Sequence, residues 1–275
     1  TVTVRDRMAG VIQMLLDHGS LPYDFPRWPT GTESPYDDVV EGPFFVATRQ
    51  GTLGTLALSD RPYAMVLDAP TAASRVPTVD AFLEGIFCIE TGRDLDLSVL
   101  QEHLASAGYR RVTTVSEMGE FAVRGGVVDV FSPLLAEPVR FELDGDTISD
   151  LHVFDPATQR VMRPLLRTWV VPAWQVPVDS KARRDFSNRL RELLAQRHLP
   201  REQVALVEDA LALGRTPPGF AAMLPLLMPA TGLVTDYLEE SALVIVFDPD
   251  GCHAAIQAAT EELASDHASH KDEPR

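Results

Sequence analysis

The chain reads as an α/β protein interrupted by an α+β insert, and three observations predict this. Residues 117–160 hold short apolar strands separated by turn residues, the pattern of an antiparallel meander. A helical stripe of Leu97, Leu100, Leu104 and Ala107 leads into that meander. On either side, short continuous apolar runs alternate with helical periodicity, as in a sheet of buried parallel strands.

The elements follow in order. Residues 8–16 place Met8, Val11, Ile12, Leu15 and Leu16 on one helical stripe. The stretch 22–43, rich in proline, glycine and acids, is a long surface connection. A second helix is predicted over 47–58, a short buried strand over 64–67, and a turn and helix around 71–75. Residues 77–94 lead out of the first unit. Asp96 or Ser98 caps the next helix, and Gly108 stands at its natural stop.

In the meander, Val127, Val128, Val130 and Phe131 form a β-branched and aromatic run interrupted by Asp129. Gly125 and Gly126 before it permit a bulge or a close backbone approach. Val139, Phe141 and Leu143 alternate with Arg140 and Glu142, so one face goes to a core and the other carries charge. Asp144-Gly145 is the strongest short hairpin signal in the chain, read as a type I′ turn. Ile148, Leu151, Val153 and Phe154 form the return strand, and 169–172 a final one. A capped helix from Asp179 or Ser180 then turns Phe186, Leu190, Leu193 and Leu194 inward. The run 242–247 reads as a buried parallel strand, followed by an Asp-Pro turn and a helix over 252–264. Four regions result: 1–90, 91–175, 176–264 and a polar tail at 265–275. The chain opens on threonine and ends in that polar tail, so both ends read as cut from something longer.

Composition bounds the chemistry. The 275 residues carry a net charge of −16, with the acid concentrated towards the C-terminus. Nucleic-acid binding needs clustered Lys and Arg to neutralise phosphates. The best such run, Lys181, Arg183, Arg184, Arg189 and Arg191, reads instead as the solvated face of an amphipathic helix. Two distant cysteines, Cys88 and Cys252, make neither a metal motif nor a disulfide framework and fit a reducing cytoplasm. No apolar run is long enough to span a bilayer. The ATP-binding pattern G-x-x-x-x-G-K-[ST] does not occur, and the only lysines are Lys181 and Lys271. Asp248, at the end of the 243–247 run, therefore reads as part of an Asp-Pro turn rather than as a magnesium ligand. Asp37/Asp38 and Glu239/Glu240 read as solvating acids. Cys252-His253 alone makes no nucleophile–base pair. No catalytic or metal-binding residue is predicted.

The phrases GEFAVRGGVVDVFS, PVRFELDGDTIS and FDPATQR resemble the second domain of the UvrB-like module of bacterial transcription-repair coupling factors. The resemblance covers roughly 34–250 and is most specific between about 100 and 175. It implies a degenerate RecA-like, helicase-like α/β domain, with halves at 1–90 and 176–264, interrupted by a UvrB domain-2-like meander at 91–175. It further implies a UvrA-recruiting role in nucleotide excision repair, through two arginines that fall here on Arg124 and Arg140. A planar guanidinium fork suits a desolvated interface; the alternative is that both arginines pair with local acids such as Glu142. The family's third docking position, a phenylalanine, falls on Asp144, an acid placed to bridge a neighbouring arginine. In such factors the ATP-driven motor, with its magnesium, and the contacts to DNA and RNA polymerase lie further along the chain. A C-terminal domain masks the UvrA surface. The resemblance thus implies a cytoplasmic docking fragment with no cofactor of its own. Two rival readings remain: a UvrB-type ATP-dependent subunit, against which the scattered tyrosines at 23, 36, 63, 109 and 237 argue, and an independent α/β enzyme.

Overall fold

A computed structural model describes residues 10, 24–29, 42–174, 180–196, 201–212, 228 and 230–269. The predicted helix at 8–16, most of the surface connection at 22–43 and the polar tail beyond 269 lie outside the described residues, as do the side chains of Phe186, Leu190, Leu193 and Leu194.

Helix α1 spans Pro43–Leu58 and buries Val46, Ala47, Leu53 and Leu56. Its start is four residues earlier than predicted, because Pro43 is pre-organised for a first helical turn. Two glycines lie inside it, where each costs about 1 kcal/mol relative to alanine. Packing is the reason for both. A Cβ on Gly51 would sit 2.2 Å from the Pro133 carbonyl oxygen, and one on Gly54 2.9 Å from a Val171 methyl. The helix thus nests its bare backbone against the chain at Pro133 and Val171. α2 (Ala69–Ala72) is capped by Asp68, and β1 (Arg75–Pro77) follows it, pairing antiparallel with β10 (Thr231–Leu233). The predicted helix around 71–75 is therefore shorter and ends in a strand. α3 (Val79–Leu83) leads to β2 (Phe87–Glu90), which pairs antiparallel with β9 (Arg167–Val170).

The predicted strand at 64–67 is absent. These residues are irregular and half-buried, with only an isolated bridge from Tyr63 to Asp24 beside them. The predicted buried strand at 242–247 is also corrected. Leu243, Val244, Ile245, Val246 and Phe247 lie outside any strand and are all exposed, Leu243 at 84%. An apolar run becomes a strand only where a neighbour satisfies its backbone, and no described strand pairs with either segment.

The centre of the chain is a six-stranded sheet in the order β3 (Arg110–Arg111), β4 (Glu120–Arg124), β5 (Val127–Val130), β6 (Val139–Asp144), β7 (Thr147–Phe154), β8 (Val161–Pro164). All neighbours are antiparallel except β3 and β4. α4 (Leu97–Ser106) packs on one face. Asp96 caps it, accepting from the amides of Ser98 at 2.8 Å and Val99 at 3.1 Å. Gly108 ends it at φ +85°, where a Cβ would also lie 2.4 Å from that of Trp174. Leu100 and Leu104 meet Phe121, Val128, Val130, Val139, Phe141, Ile148, Leu151 and Val153 in the main core. Ile89 and Val170, from the β2–β9 pair, belong to the same core. A second cluster joins α1 to Val76, Phe82, Val171, Val234 and Tyr237.

Beyond the sheet, α5 (Ser180–Gln196) and α6 (Arg201–Ala212) are linked by Arg191 Nε and Glu208 Oε1 at 2.8 Å. Lys181, Arg184, Arg189 and Arg191 are exposed, consistent with a solvated basic face. α7 (Pro249–Ser269) starts three residues before the predicted 252. Asp248 stands ahead of it, accepting from the Gly251 amide at 3.0 Å, so this aspartate serves a helix start.

Candidate functional site

The period of two along β4 to β7 sends Phe121, Val128, Phe141 and Leu151 to the main core and leaves the opposite face for polar groups. Register then places those groups. Ala122 pairs with Asp129, Asp129 with Arg140, and Arg140 with His152, forming one row across four strands. Arg124 sits one step along, opposite Val127, and so reaches Asp129 diagonally.

The result is one carboxylate held by two guanidinium groups. Asp129 is fully buried. Arg140 donates to it twice, from Nε to Oδ1 at 2.6 Å and from Nη2 to Oδ2 at 2.9 Å. Arg124 donates from Nη2 to Oδ2 at 2.5 Å and from Nη1 to the Thr113 carbonyl at 2.8 Å. Arg140 also lies over the Phe154 ring, 4.5 Å from its centroid, in cation–π geometry. Its remaining donors reach Gln159, the backbone oxygen at 3.4 Å and the side-chain oxygen at 3.2 Å. Hydrogen bonding to Asp129 raises the Arg140 pKa above its usual range, against the cost of burial, and the charges of Asp129 and Glu142 add to it.

Gln159 is placed by the loop that carries the FDPATQR phrase. Asp155 Oδ1 accepts from the amides of Ala157 at 2.7 Å and Thr158 at 3.1 Å, which holds its carboxyl below the usual range. The chain then turns through Gln159 at φ 60°, an uncommon conformation for a side-chain-bearing residue. Its amide group donates to the carbonyls of Val115 at 3.1 Å and Pro156 at 2.8 Å.

Arg124 and Arg140 are therefore brought together, on the same face and on the same acid. The pairing with a local acid that the alternative reading expects does occur, but the acid is Asp129 and not Glu142, which is exposed on the neighbouring row. The side chain of Arg124 is 44% exposed and that of Arg140 17%, so the former is the more open to a partner. Asp129 and Gln159 were not singled out from the sequence. The available signal was a lone acid within a β-branched run, on the same face as an arginine in the adjoining strand.

Asp144 is not part of this cluster. It is exposed and makes no ion pair with an arginine among the described residues. Asp144 and Thr147 pair in register, so the loop residues are Gly145 and Asp146. Only Gly145 is left-handed, at φ 64°, which is the pattern of a II′ turn and not the expected I′. The Gly125-Gly126 hairpin is built the same way, with φ 63° at Gly125 and Arg124 paired to Val127. The expected close approach is there too. A Cβ on Gly126 would lie 2.9 Å from the Leu143 carbonyl oxygen.

A further charged cluster stands at the start of β4. Burial opposes ionisation of Glu120, yet the amides of Ser116 at 2.8 Å and Glu117 at 2.9 Å, with Arg110 at 2.5 Å and the Ser116 hydroxyl at 3.2 Å, pull its pKa below the usual range. These contacts close the loop before the strand. Among the described residues, no group of three or more His, Cys, Asp or Glu side chains is placed to hold a metal ion, and no helix is long and apolar enough to cross a membrane.

A small α+β domain with a charged outer sheet face is thus defined, and residues 87–175 match the family described as the UvrB interaction domain. The chain also aligns with transcription-repair-coupling factors: 31% identity over 249 residues with that of Myxococcus xanthus, covering 88% of this chain and 21% of the relative. For that of Escherichia coli (strain K12) the figures are 29% over 218 residues, 78% and 17%. It is 32% identical over 111 residues to UvrABC system protein B of Thermosipho africanus, covering 40% of this chain and 17% of that protein. The chain is thus similar to the transcription-repair-coupling factors over most of its own length, and its residues 87–175 match the UvrB interaction domain. It spans about a fifth of the length of the curated coupling factors it matches.

Proposed function

We propose that this chain is the UvrA-recruiting module of a transcription-repair coupling factor, acting in nucleotide excision repair by docking UvrA on the sheet face of Arg124 and Arg140. The observation that carries the reading is that both arginines stand on one outer sheet face with the Arg124 side chain still 44% exposed, although both pair with the buried Asp129. Two long cationic side chains are held in fixed rotamers before a partner arrives, which lowers the entropic cost of binding. The match of residues 87–175 to the UvrB interaction domain supports UvrA as the partner. Asp144, at the hairpin tip, occupies the place where the family has an apolar anchor, and it weakens the contact.

In the same proposal, 91–175 is the docking domain and 1–90 and 176–264 are halves of a degenerate helicase-like domain; the linker or tail expected over 265–275 begins later than predicted, because α7 continues through Ser269. The chain performs no ATP hydrolysis and needs no cofactor, as the missing phosphate-loop pattern supports. It works in the cytoplasm. In the whole factor, RNA polymerase and DNA are engaged by other domains, and a C-terminal domain masks the docking face. The rival reading, an ATP-dependent UvrB-type subunit, draws on the shorter similarity to UvrABC system protein B.

The test is UvrA binding by the variant Arg124→Ala plus Arg140→Ala, made together with Asp129→Asn so that no charged carboxylate is left buried and alone. Loss of binding with the fold retained is expected. Binding equal to the parent would end the docking proposal.

A further inference from the structure

The outer sheet face that carries Arg124 and Arg140 does not end with them. Their row crosses β7 at His152 and reaches β8 at Pro164. β8 is the edge of the six-stranded sheet, and all four of its residues are exposed. Edge strands are normally guarded by charge or proline. Here Arg163 and Pro164 guard the second half, while an apolar pair opens the strand, Val161 at 52% exposure and Met162 at 57%.

Single exposed apolar side chains are ordinary, so the place of Val161 is what counts. It pairs in register with Phe154, and register partners share a face. Phe154 is fully buried in a small cluster with Ala122 and Phe131, and the Arg140 guanidinium lies over its ring. The loop between β7 and β8 supplies a second tie. Gln159, two residues before Val161, accepts from Arg140 through its backbone and side-chain oxygens. The Asp155 amide donates to the Arg160 carbonyl at 2.9 Å and closes that loop. Val161 is thus fixed to the same frame as Arg140. The face runs from Arg124 on β4 through Arg140 on β6 to Val161 on β8. Four strand spacings make this roughly 20 Å, which a standard interface of ~800 Å² per partner covers.

We propose that Val161 is the apolar anchor of the docking face, where it packs against an apolar side chain of UvrA, in place of the anchor that Asp144 does not supply. The inference rests on the docking reading above and names a further residue of that same face. Binding energy concentrates where apolar and arginine side chains are buried together and water is kept out around them. Val161 is β-branched and sits in a strand, so its burial costs little side-chain entropy.

The affinity of UvrA for the 275-residue chain, by calorimetric titration with circular dichroism as folding control, tests the proposal. Val161→Asp is expected to weaken binding about tenfold or more. Val161→Thr keeps the shape and adds a hydroxyl, and is expected to weaken it about fivefold or more even where the aspartate variant fails to fold. Leu166→Asp, at an exposed position beyond the end of β8, is expected to bind as the parent does. Affinity that falls in Arg124→Ala and stays at the parent level in Val161→Thr overturns the inference and leaves the docking reading standing. An equal loss in Leu166→Asp and Val161→Asp assigns the effect to charge and also overturns it. A parent that does not bind UvrA, or an unaltered Arg124→Ala, ends the docking reading and this inference with it.

Discussion

Replacing Asp129 by alanine removes the acid on which Arg124 and Arg140 converge. Three hydrogen bonds between charged groups are lost, two from Arg140 and one from Arg124. Each is worth about 1.5–3 kcal/mol in isolation, but bonds within one network do not add. The arginines are left charged on a face where Arg124 is 44% and Arg140 17% exposed, so both regain some water. The net cost is therefore about 3 kcal/mol, at the lower end of the ~3–5 kcal/mol for breaking a buried pair. For a domain of this size each kcal/mol lowers Tm by ~4–8 °C, which gives a fall of more than ~10 °C. Urea titration followed by fluorescence of Trp169 and Trp174 measures it. A double-mutant cycle apportions it: the coupling of Asp129 to Arg140, at about 2 kcal/mol, exceeds that to Arg124, at under ~1 kcal/mol, because Arg140 is bidentate and more buried. Destabilisation below ~0.5 kcal/mol, the range of an ordinary surface change, or a larger coupling to Arg124 than to Arg140, would refute this account of the clamp.

Other consequences are independent of it. Glu120 has a folded-state pKa below its ordinary value, so its stabilisation is complete above that value, about 4.3, and is lost as pH falls through the folded pKa. Glu120→Gln should flatten the acid limb of a stability–pH curve below about pH 4.3, and an unaltered limb would contradict the assignment. Gly51→Ala should cost about 2 kcal/mol or more in urea denaturation, because the new Cβ meets the Pro133 backbone and not a movable side chain. Asp144→Phe should leave Tm nearly unchanged at its exposed hairpin tip while tightening UvrA binding about tenfold, read by calorimetric titration.

Local chemistry made much of the central domain legible. Asp96 and Gly108 bracket a helix at both ends, and the alternation from Val139 to Leu143 sorts core from surface without any tertiary knowledge. What local pattern does not carry is partnership. The runs at 64–67 and 242–247 have strand composition but no strand beside them, so composition misled. The β2–β9 pair joins residues far apart in sequence, and nothing near Phe87 announces Val170. The same holds for the candidate site. Arg124 and Arg140 were visible through the resemblance of their flanking phrases, whereas Asp129 becomes their shared partner only once the β5–β6 register is known. The hairpin at Gly145 shows the finer limit: the Asp-Gly pair located the turn correctly, but strand register moved it by one residue and changed its type.

The central claim is that Arg124 and Arg140 form a pre-organised docking face for UvrA. Its most direct test is the affinity of UvrA for the 275-residue chain carrying Arg124→Ala alone, measured by calorimetric titration with far-UV circular dichroism as the folding control. Arg140 still holds Asp129 in this variant, so the domain stays folded. The account predicts a loss of affinity of about tenfold or more, the scale of an interface anchor. Parent-like affinity in a folded variant would contradict it.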